Sequence, residues 1–174
     1  MAFAINLRSD NVSAERLRAL WFLSSELEGA SSMAALNYPP HITLAVYDED
    51  PGELAPLLME LCKDLPVQHI RFTRLNKFRA PHGLVLWAAP ELPESLLMIH
   101  RQLHASINAK HSRQNYQPDS WVPHSTIANG VNPARLTEVE SLIAQPLDSF
   151  EVRFDVVDYV EYPPVRIITE LVLD

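Results

Sequence analysis

The chain has 174 residues, of which 47% are hydrophobic and 21% charged, as is typical of one soluble globular domain. Acidic residues outnumber basic ones, 22 to 14, and the net charge of −8 argues against binding duplex DNA or another long polyanion. The one cysteine, Cys62, excludes an intramolecular disulfide and a multi-cysteine metal site. We find neither a signal peptide nor an apolar run long enough to cross a bilayer, and therefore expect a cytoplasmic protein.

The first half of the chain has the hydrophobic spacing of a strand, a helix, a strand, a helix and a strand. The strands are predicted at residues 3–7, 41–47 and 69–78. Ser13 is placed to act as the N-cap of the first helix, and Pro51 to open the second. A turn at 80–83 then leads into a strand at 84–89, which we expect to form a hairpin with the strand before it.

The second half repeats this order of elements. They are predicted as a helix from about Pro93 to Ala109, a strand at 122–128, a helix beginning at Pro133 and strands at 150–159 and 165–173. The last two strands flank Tyr162-Pro163-Pro164 and are expected to form a second hairpin. Because no long linker interrupts the chain, we expect a single domain, residues 1–174.

A short motif occurs twice, and the two copies are offset by 83 residues. Tyr38-Pro39-Pro40-His41-Ile42-Thr43-Leu44-Ala45 matches Trp121-Val122-Pro123-His124-Ser125-Thr126-Ile127-Ala128, and both read aromatic-x-Pro-His-x-Thr-aliphatic-Ala. The same offset maps the predicted elements of the first half onto those of the second. We interpret the chain as two pseudo-repeats, approximately 1–80 and 81–174, related by a pseudo-twofold axis.

The paired motifs carry groups suited to phosphoryl transfer without a metal. Residues i and i+2 of a strand share a face, so His41 projects with Thr43, and His124 with Thr126. A twofold arrangement brings the two pairs together across a cleft. One imidazole can then take a proton from the attacking oxygen while the other gives one to the leaving oxygen, and the hydroxyls can bond the phosphate oxygens. Which histidine is the acid and which the base stays open.

Two simpler interpretations compete with this one. A single His-x-Thr is more often an ordinary piece of core strand, but two copies with the same flanks favour a function. A zinc site at His41 and His124 lacks an adjacent carboxylate or cysteine, and zinc takes three or four protein ligands. His100 and His104 have the spacing of zinc ligands on a helix but lack the intervening Glu of a metalloprotease motif. We therefore expect no metal and no other cofactor.

The duplicated chain with its paired His-x-Thr motifs resembles the two-histidine phosphoesterase superfamily, which includes 2′-5′ RNA ligase-like proteins and cyclic nucleotide phosphodiesterases. Beyond the two motifs, Asn76-Lys77-Phe78 and the following Leu84-Val85-Leu86-Trp87 resemble the central hairpin of the family. The resemblance implies an α+β, bilobal, duplicated fold. In such a fold antiparallel sheets flank a central cleft and the helices lie outside.

The same resemblance implies roles for the four motif residues. His41 and His124 would be catalytic, and Thr43 and Thr126 would hold the phosphate. The implied reaction is hydrolysis of a cyclic phosphate of the 2′,3′ type on a nucleotide or an RNA end, a step of RNA processing. The alternatives are a nucleotide-binding module of the same fold with little or no turnover, and 2′-5′ RNA ligation by the reverse reaction.

Three aromatic residues are candidates for contacts with the substrate. Phe78 can stack on a base, and Tyr38 and Trp121, which precede the two histidines at matching positions, can wall the cleft. The basic stretch from Arg71 to Arg79 can contact a phosphate, although charge there also protects a strand edge. We expect a nucleotide or RNA end as the substrate, no duplex DNA or membrane as a partner, and a monomer.

Overall fold

The computed structural model describes residues 1–28, 32–52, 54–107 and 111–174. Strands and helices follow one another along these residues as β1 (Ala2–Ser9), α1 (Glu15–Ser24), β2 (His41–Tyr47), α2 (Ala55–Cys62), β3 (Gln68–Ala80), β4 (Gly83–Glu91), α3 (Glu94–Ser106), β5 (Ser125–Val131), α4 (Leu136–Ala144), β6 (Phe150–Tyr162) and β7 (Arg166–Val172). Both hairpins that the sequence predicted are present, as β3–β4 and β6–β7.

All the strands belong to one antiparallel sheet with the order β2-β1-β6-β3-β4-β5, and β7 pairs with β6. The long strand β6 joins the two halves of this sheet. Its residues 150–154 pair with β3, whereas 154–162 pair with β1. The end strands β2 and β5 also contact each other, so the sheet curves and brings its two ends together. The predicted α+β fold with antiparallel strands is confirmed.

The two repeats exchange their third strands. β1 and β2 of the first repeat are extended by β6 from the second, whereas β4 and β5 of the second repeat are extended by β3 from the first. The offset of 83 residues maps β2 onto β5 and β3 onto β6 to within one residue at either end. Each half of the sheet is therefore built from both repeats.

The helices pack against this sheet and bury one face each. α1 buries Leu17 and Trp21 and contacts β5 of the other repeat, while α2 packs against α3 and β7. Cys62 on α2 is a buried free thiol, and burial raises its pKa to about 11. No helix in the described ranges is both long and apolar enough to cross a membrane.

Gly83 is required at the turn between β3 and β4. Its φ is +128°, a conformation that residues with a Cβ rarely adopt. A Cβ built at this position would lie 2.5 Å from the Val131 carbonyl oxygen on β5. The missing side chain therefore lets β4 approach β5, the strand that follows His124.

Two helices begin later than the sequence predicted. α1 begins at Glu15, and Ser13 is not its N-cap: the Ser13 hydroxyl accepts a hydrogen bond from the Arg153 amide at 2.8 Å. Asp10 organises this turn instead, because its carboxylate accepts the amide hydrogens of Val12 and Ser13. α2 begins at Ala55, several residues after Pro51.

The boundaries of two other elements, β5 and α3, also differ from the predicted ones. β5 begins at Ser125 rather than at residue 122, because Pro123 has no amide hydrogen to donate to a neighbouring strand. α3 ends at Ser106, and the predicted end at Ala109 lies outside the described residues. His124 therefore precedes its strand, whereas His41 is the first residue of β2.

Candidate active site

His41 and His124 are oriented by the same local hydrogen bond. The Nδ1 of His41 lies 3.0 Å from the carbonyl oxygen of Pro39, and that of His124 lies 2.7 Å from the carbonyl oxygen of Val122. A carbonyl only accepts, so Nδ1 carries the hydrogen in both rings. Each Nε2 is then left to accept a proton when the ring is neutral, or to donate one when it is charged.

The two rings are close enough to influence each other electrostatically. Burial, with a smaller contribution from the charge of His124, lowers the pKa of His41 to about 4, while the bond to Pro39 acts in the opposite direction. Burial also lowers the pKa of His124. In the free protein at neutral pH both imidazoles are therefore neutral.

Thr43 and Thr126 lie on the same faces as their histidines. In both motifs the histidine and the threonine are partly exposed, and the residue between them, Ile42 or Ser125, is buried. We use the term cleft for the partly exposed faces of the two motifs, His41 with Thr43 and His124 with Thr126.

Two tryptophans form hydrogen bonds that connect the two repeats beside the cleft. Trp121, from the second repeat, donates its indole hydrogen to the Thr43 carbonyl at 3.0 Å. Trp21, from the first repeat, donates to the Thr126 carbonyl at 2.8 Å. Each threonine is thus held in place by an indole from the opposite repeat, which fixes the separation of the two motifs.

The His41 side of the cleft is backed by a polar cluster of Asn6, Tyr38 and Asp158. The Tyr38 hydroxyl donates to Asp158 at 2.7 Å, and the Asn6 amide donates to both Tyr38 and Asp158 at 3.1 and 3.3 Å. Asp158 is fully buried and has Arg8 at 3.4 Å. Burial raises the pKa of Asp158 to about 6, while its hydrogen bonds and Arg8 act in the opposite direction. The cluster reaches the cleft through Thr43, which donates to the Asn6 oxygen at 2.9 Å.

The His124 side is backed by aromatic rings instead. Phe78 meets His124 edge-on with ring centroids 5.0 Å apart, and it stacks on Trp87 at 4.7 Å. Trp87 on β4 is the cross-strand partner of Thr126 on β5. In the other half of the sheet, Asn6 on β1 is the cross-strand partner of Thr43 on β2. The two sides therefore share a backbone pattern but differ in the residue that faces the threonine.

The three predicted substrate contacts occupy different environments. Phe78 is partly exposed beside His124. Tyr38 is buried, with its ring centroid 4.9 Å from that of His41 and its hydroxyl bonded to Asp158. Trp121 is partly exposed, but its ring stacks on His100 at 3.8 Å and its indole nitrogen is bonded to Thr43.

Sequence reasoning assigned no role to Asn6 or Asp158, and it used Trp87 only as part of the hairpin that resembles the family. An Asp in the apolar stretch Val156–Val160 is a signal that could have been used, because a carboxylate on a central strand needs specific partners. Asn6 and Trp87 carry no comparable signal, since either fits a half-buried strand.

His100 and His104, which have the spacing of zinc ligands, are both buried on α3. Each bonds a carbonyl through Nε2, to Tyr116 at 2.9 Å and to Leu44 at 3.1 Å. Burial lowers the pKa of both, to about 4 for His100. Within the described residues, no group of three or more His, Cys, Asp or Glu side chains is arranged to hold a metal ion.

Comparison with known proteins assigns the chain to one family. The chain matches the sequence model of the 2′-5′ RNA ligase superfamily over residues 9–164, and it belongs to that superfamily. The resemblance drawn from the paired motifs is thereby confirmed. None of the curated proteins compared with the chain matches it.

Solved structures with the same fold cover nearly the whole chain. E. coli LigT complexed with NADP+ superposes with a TM-score of 0.61 at 14% identity, over 98% of this chain and 96% of LigT. LigT complexed with 3′-AMP gives 0.59 at 16% identity over 99% of both chains. The protein TT0787 of Thermus thermophilus gives 0.60 at 16% identity, over 99% of this chain and 98% of its own. At these identities the likeness establishes the fold.

Proposed function

We propose that the protein is a metal-independent phosphodiesterase that hydrolyses a cyclic phosphate of the 2′,3′ type on a nucleotide or an RNA end. The observation that carries this proposal is the matched orientation of His41 and His124, each bonded through Nδ1 to the carbonyl two residues before it. Two imidazoles with free Nε2 atoms can move two protons around one phosphorus without a metal. Membership of the 2′-5′ RNA ligase superfamily supports this class of chemistry.

Proton transfer in this proposal needs one neutral and one charged imidazole. Both rings are neutral in the free protein because burial lowers their pKa values. A bound phosphodiester is an anion, and its negative charge stabilises an imidazolium beside it. Substrate binding therefore favours uptake from solvent of the proton that the leaving oxygen requires.

A nucleotide is the substrate class that fits the surroundings of the cleft. The partly exposed ring of Phe78 beside His124 can stack on a base of any identity. The complexes of LigT with 3′-AMP and with NADP+ make nucleotides reasonable first ligands to try. In this proposal the enzyme acts as a cytoplasmic monomer.

The test is a substrate panel with product analysis by chromatography. It contains adenosine 2′,3′-cyclic monophosphate, a short RNA with a cyclic phosphate end, and ADP-ribose cyclic phosphate. We expect ring opening that persists after exhaustive treatment with EDTA. Loss of activity in chelator with recovery on added zinc or magnesium would reject the metal-independent mechanism.

The matched control is His69→Ala, because His69 is an exposed histidine on β3 that pairs only with Glu151 at 3.1 Å. This variant should keep wild-type turnover, whereas His41→Ala and His124→Ala should not. Binding of all three ligands without any ring opening would instead identify a nucleotide-binding module.

RNA ligation is the second candidate, favoured by the family to which the chain belongs. In ligation a ribose 5′-hydroxyl replaces water as the nucleophile, and the same two imidazoles move the protons. Incubation of a cyclic-ended RNA with a 5′-hydroxyl RNA, followed by electrophoresis, distinguishes a joined product from a hydrolysed end.

A further inference from the structure

We propose that Thr43 and Thr126 have different tasks: Thr43 accepts a hydrogen bond from the attacking water, while Thr126 donates one to the phosphate. Asn6 and Asp158 are positioning residues that fix the Thr43 hydroxyl in its accepting orientation. The inference deepens the proposed function and rests on it. It also assigns His41 as the general base and His124 as the general acid.

The orientation of Thr43 follows from a chain of donors and acceptors. Above a pH of about 6, Asp158 is a carboxylate and can only accept hydrogen bonds. The atom of Asn6 that faces Asp158 at 3.3 Å is therefore its amide nitrogen, and its carbonyl oxygen faces Thr43. An amide oxygen only accepts, so Thr43 gives its single hydrogen to Asn6 at 2.9 Å.

The Thr43 hydroxyl consequently presents only lone pairs to the cleft. The non-bridging oxygens of a phosphodiester also carry only lone pairs, so Thr43 cannot bond them in this orientation. A water molecule has two hydrogens. His41 and Thr43 lie on one face of the chain, so Nε2 of His41 can accept one hydrogen and Oγ1 of Thr43 the other. The water is then held with a lone pair directed at phosphorus.

Thr126 is not constrained in this way. Its cross-strand partner is Trp87, whose indole nitrogen can only donate. Within the described residues the Thr126 hydroxyl has no acceptor, so its hydrogen is available to a phosphate oxygen. Thr126 and a protonated His124 therefore form the donating side of the cleft, and Thr43 and a neutral His41 form the accepting side.

The reaction balances with these roles. The water oxygen forms a bond to phosphorus, and the proton it loses goes to Nε2 of His41. The bond from phosphorus to one ribose oxygen breaks, and that oxygen takes the proton from Nε2 of His124. The product is a phosphate monoester. Proton loss to solvent then returns His41 to its neutral form, and binding of the next anionic substrate favours protonation of His124 from solvent.

The first experiment compares Thr43→Val with Thr126→Val at about pH 8, using sulfate as a probe because it has acceptor oxygens and no hydrogen. Sulfate binding is followed by the NMR shifts of the histidine imidazoles, so the measurement does not depend on turnover. Loss of a hydrogen bond to a charged group costs ~1.5–3 kcal/mol, so Thr126→Val should weaken sulfate binding by about 10–150-fold. Thr43→Val should change it by less than about twofold. Equal weakening by both variants would overturn the proposal.

The second experiment measures which nucleophile attacks, from the ratio of hydrolysis to methanolysis in water–methanol mixtures. Methanol has one hydroxyl hydrogen and cannot bond both His41 and Thr43, so the wild type should favour water. Thr43→Val should lose this preference by roughly 5–10-fold, the equivalent of about one hydrogen bond. Thr137→Val, on the exposed face of α4, is the control and should leave the ratio unchanged. An unchanged ratio in Thr43→Val would also overturn the proposal.

Positioning is tested with Asp158→Asn and with a change in the hydrogen-bond partner of Asp158. That second variant, Tyr38→Phe, removes only the hydroxyl and keeps the ring beside His41. Both should lower kcat and the preference for water, and neither should weaken sulfate binding. Combined with Thr43→Val, they should lower kcat no further, because they act through Thr43. Additive losses would show a purely structural role and reject the positioning assignment. If the wild type opens no cyclic phosphate, the proposed function fails, whereas the sulfate comparison still decides the tasks of the two threonines.

Discussion

The two sides of the cleft share their backbone but have opposite surroundings. His41 and His124 are oriented by equivalent carbonyls, and their threonine carbonyls are held by indoles from the opposite repeat. Behind Thr43 lies a buried polar cluster, whereas Thr126 faces Trp87. A symmetric backbone thus surrounds each threonine with different side chains. The carbonyls that orient the histidines are repeated, whereas the residue opposite each threonine differs, and this difference underlies the proposed accepting and donating sides.

The largest effect is expected when the two repeats are produced as separate fragments. We propose that residues 1–174 form one domain, because β3 and β6 each complete the half of the sheet that contains the other repeat's first two strands. Fragments 1–80 and 81–174 should each lack cooperative unfolding and all activity. Thermal and denaturant unfolding followed by circular dichroism measures this. A cooperative transition in either fragment alone would contradict it.

Replacing the histidines should have the next largest effect. His41→Ala and His124→Ala should each lower kcat by about 10²–10⁴-fold, because each removes a general acid or base. A nucleoside p-nitrophenyl phosphodiester sharpens the comparison, since its leaving group departs without a proton. With this substrate His124→Ala should recover much of the lost rate and His41→Ala should not. Recovery in His41→Ala alone would reverse the two assignments.

The pH dependence of activity reports the protonation states of His41 and His124. The free enzyme needs His41 neutral and His124 protonated, and burial lowers the pKa of both, to about 4 for His41. Activity should rise as pH increases past the pKa of His41 and fall as it passes that of His124. We therefore expect a bell-shaped plot of kcat/KM against pH with its maximum below pH 6.5. The two apparent pKa values of this plot describe the coupled pair of histidines and not either residue alone.

Comparison of kcat with kcat/KM provides the internal control for this profile. The anionic substrate stabilises the charged imidazoles, so the maximum of kcat should lie at a higher pH than that of kcat/KM. Initial rates at saturating and at low substrate, from about pH 4 to pH 9, measure both curves. A kcat/KM that keeps rising above neutral pH would contradict the assigned protonation states.

The aromatic side can be tested through the base of the substrate. Phe78→Ala should raise KM for adenosine 2′,3′-cyclic monophosphate by about 5–150-fold, since stacking contributes ~1–3 kcal/mol per base. Its effect on kcat should be smaller. Ribose 2′,3′-cyclic phosphate has no base and is the matched control, so the variant should leave its KM unchanged. An equal rise in KM for both substrates would show that Phe78 positions His124 rather than the base.

The sequence predicted the features that occur in both repeats. Hydrophobic periodicity located the strands, and the repeated motif identified the two histidines that the structure orients by equivalent hydrogen bonds. Exchange of β3 and β6 was not predictable, because the spacing along the chain is the same whether a third strand pairs with its own repeat or with the other.

The polar cluster escaped sequence reasoning for a related reason. When the two repeats are aligned with the offset of 83 residues, Asn6 aligns with Ala89 and Asp158 with Leu75. Because neither polar residue is repeated, the comparison of the two copies did not single out Asn6 or Asp158. Burial and partners decide the role of these two residues, and both depend on β1 and β6 lying side by side. That pairing joins residues from opposite ends of the chain, which local patterns do not report.

Substrate length and salt should have the smallest effect, and they test whether binding is confined to the cleft. The net charge is −8, and within the basic stretch from Arg71 to Arg79 the Lys77 ammonium pairs with Glu140 at 3.0 Å. Added phosphates of a longer RNA therefore meet a mostly acidic surface. One phosphate contact on a single strand predicts only about a threefold loss of affinity between ~50 and ~200 mM salt. We expect a cyclic mononucleotide and a cyclic-ended oligonucleotide to have similar kcat/KM values at both salt concentrations. A strong preference for the oligonucleotide that weakens steeply with salt would reveal a basic track, and Arg71→Ala, Arg74→Ala and Arg79→Ala would then locate it.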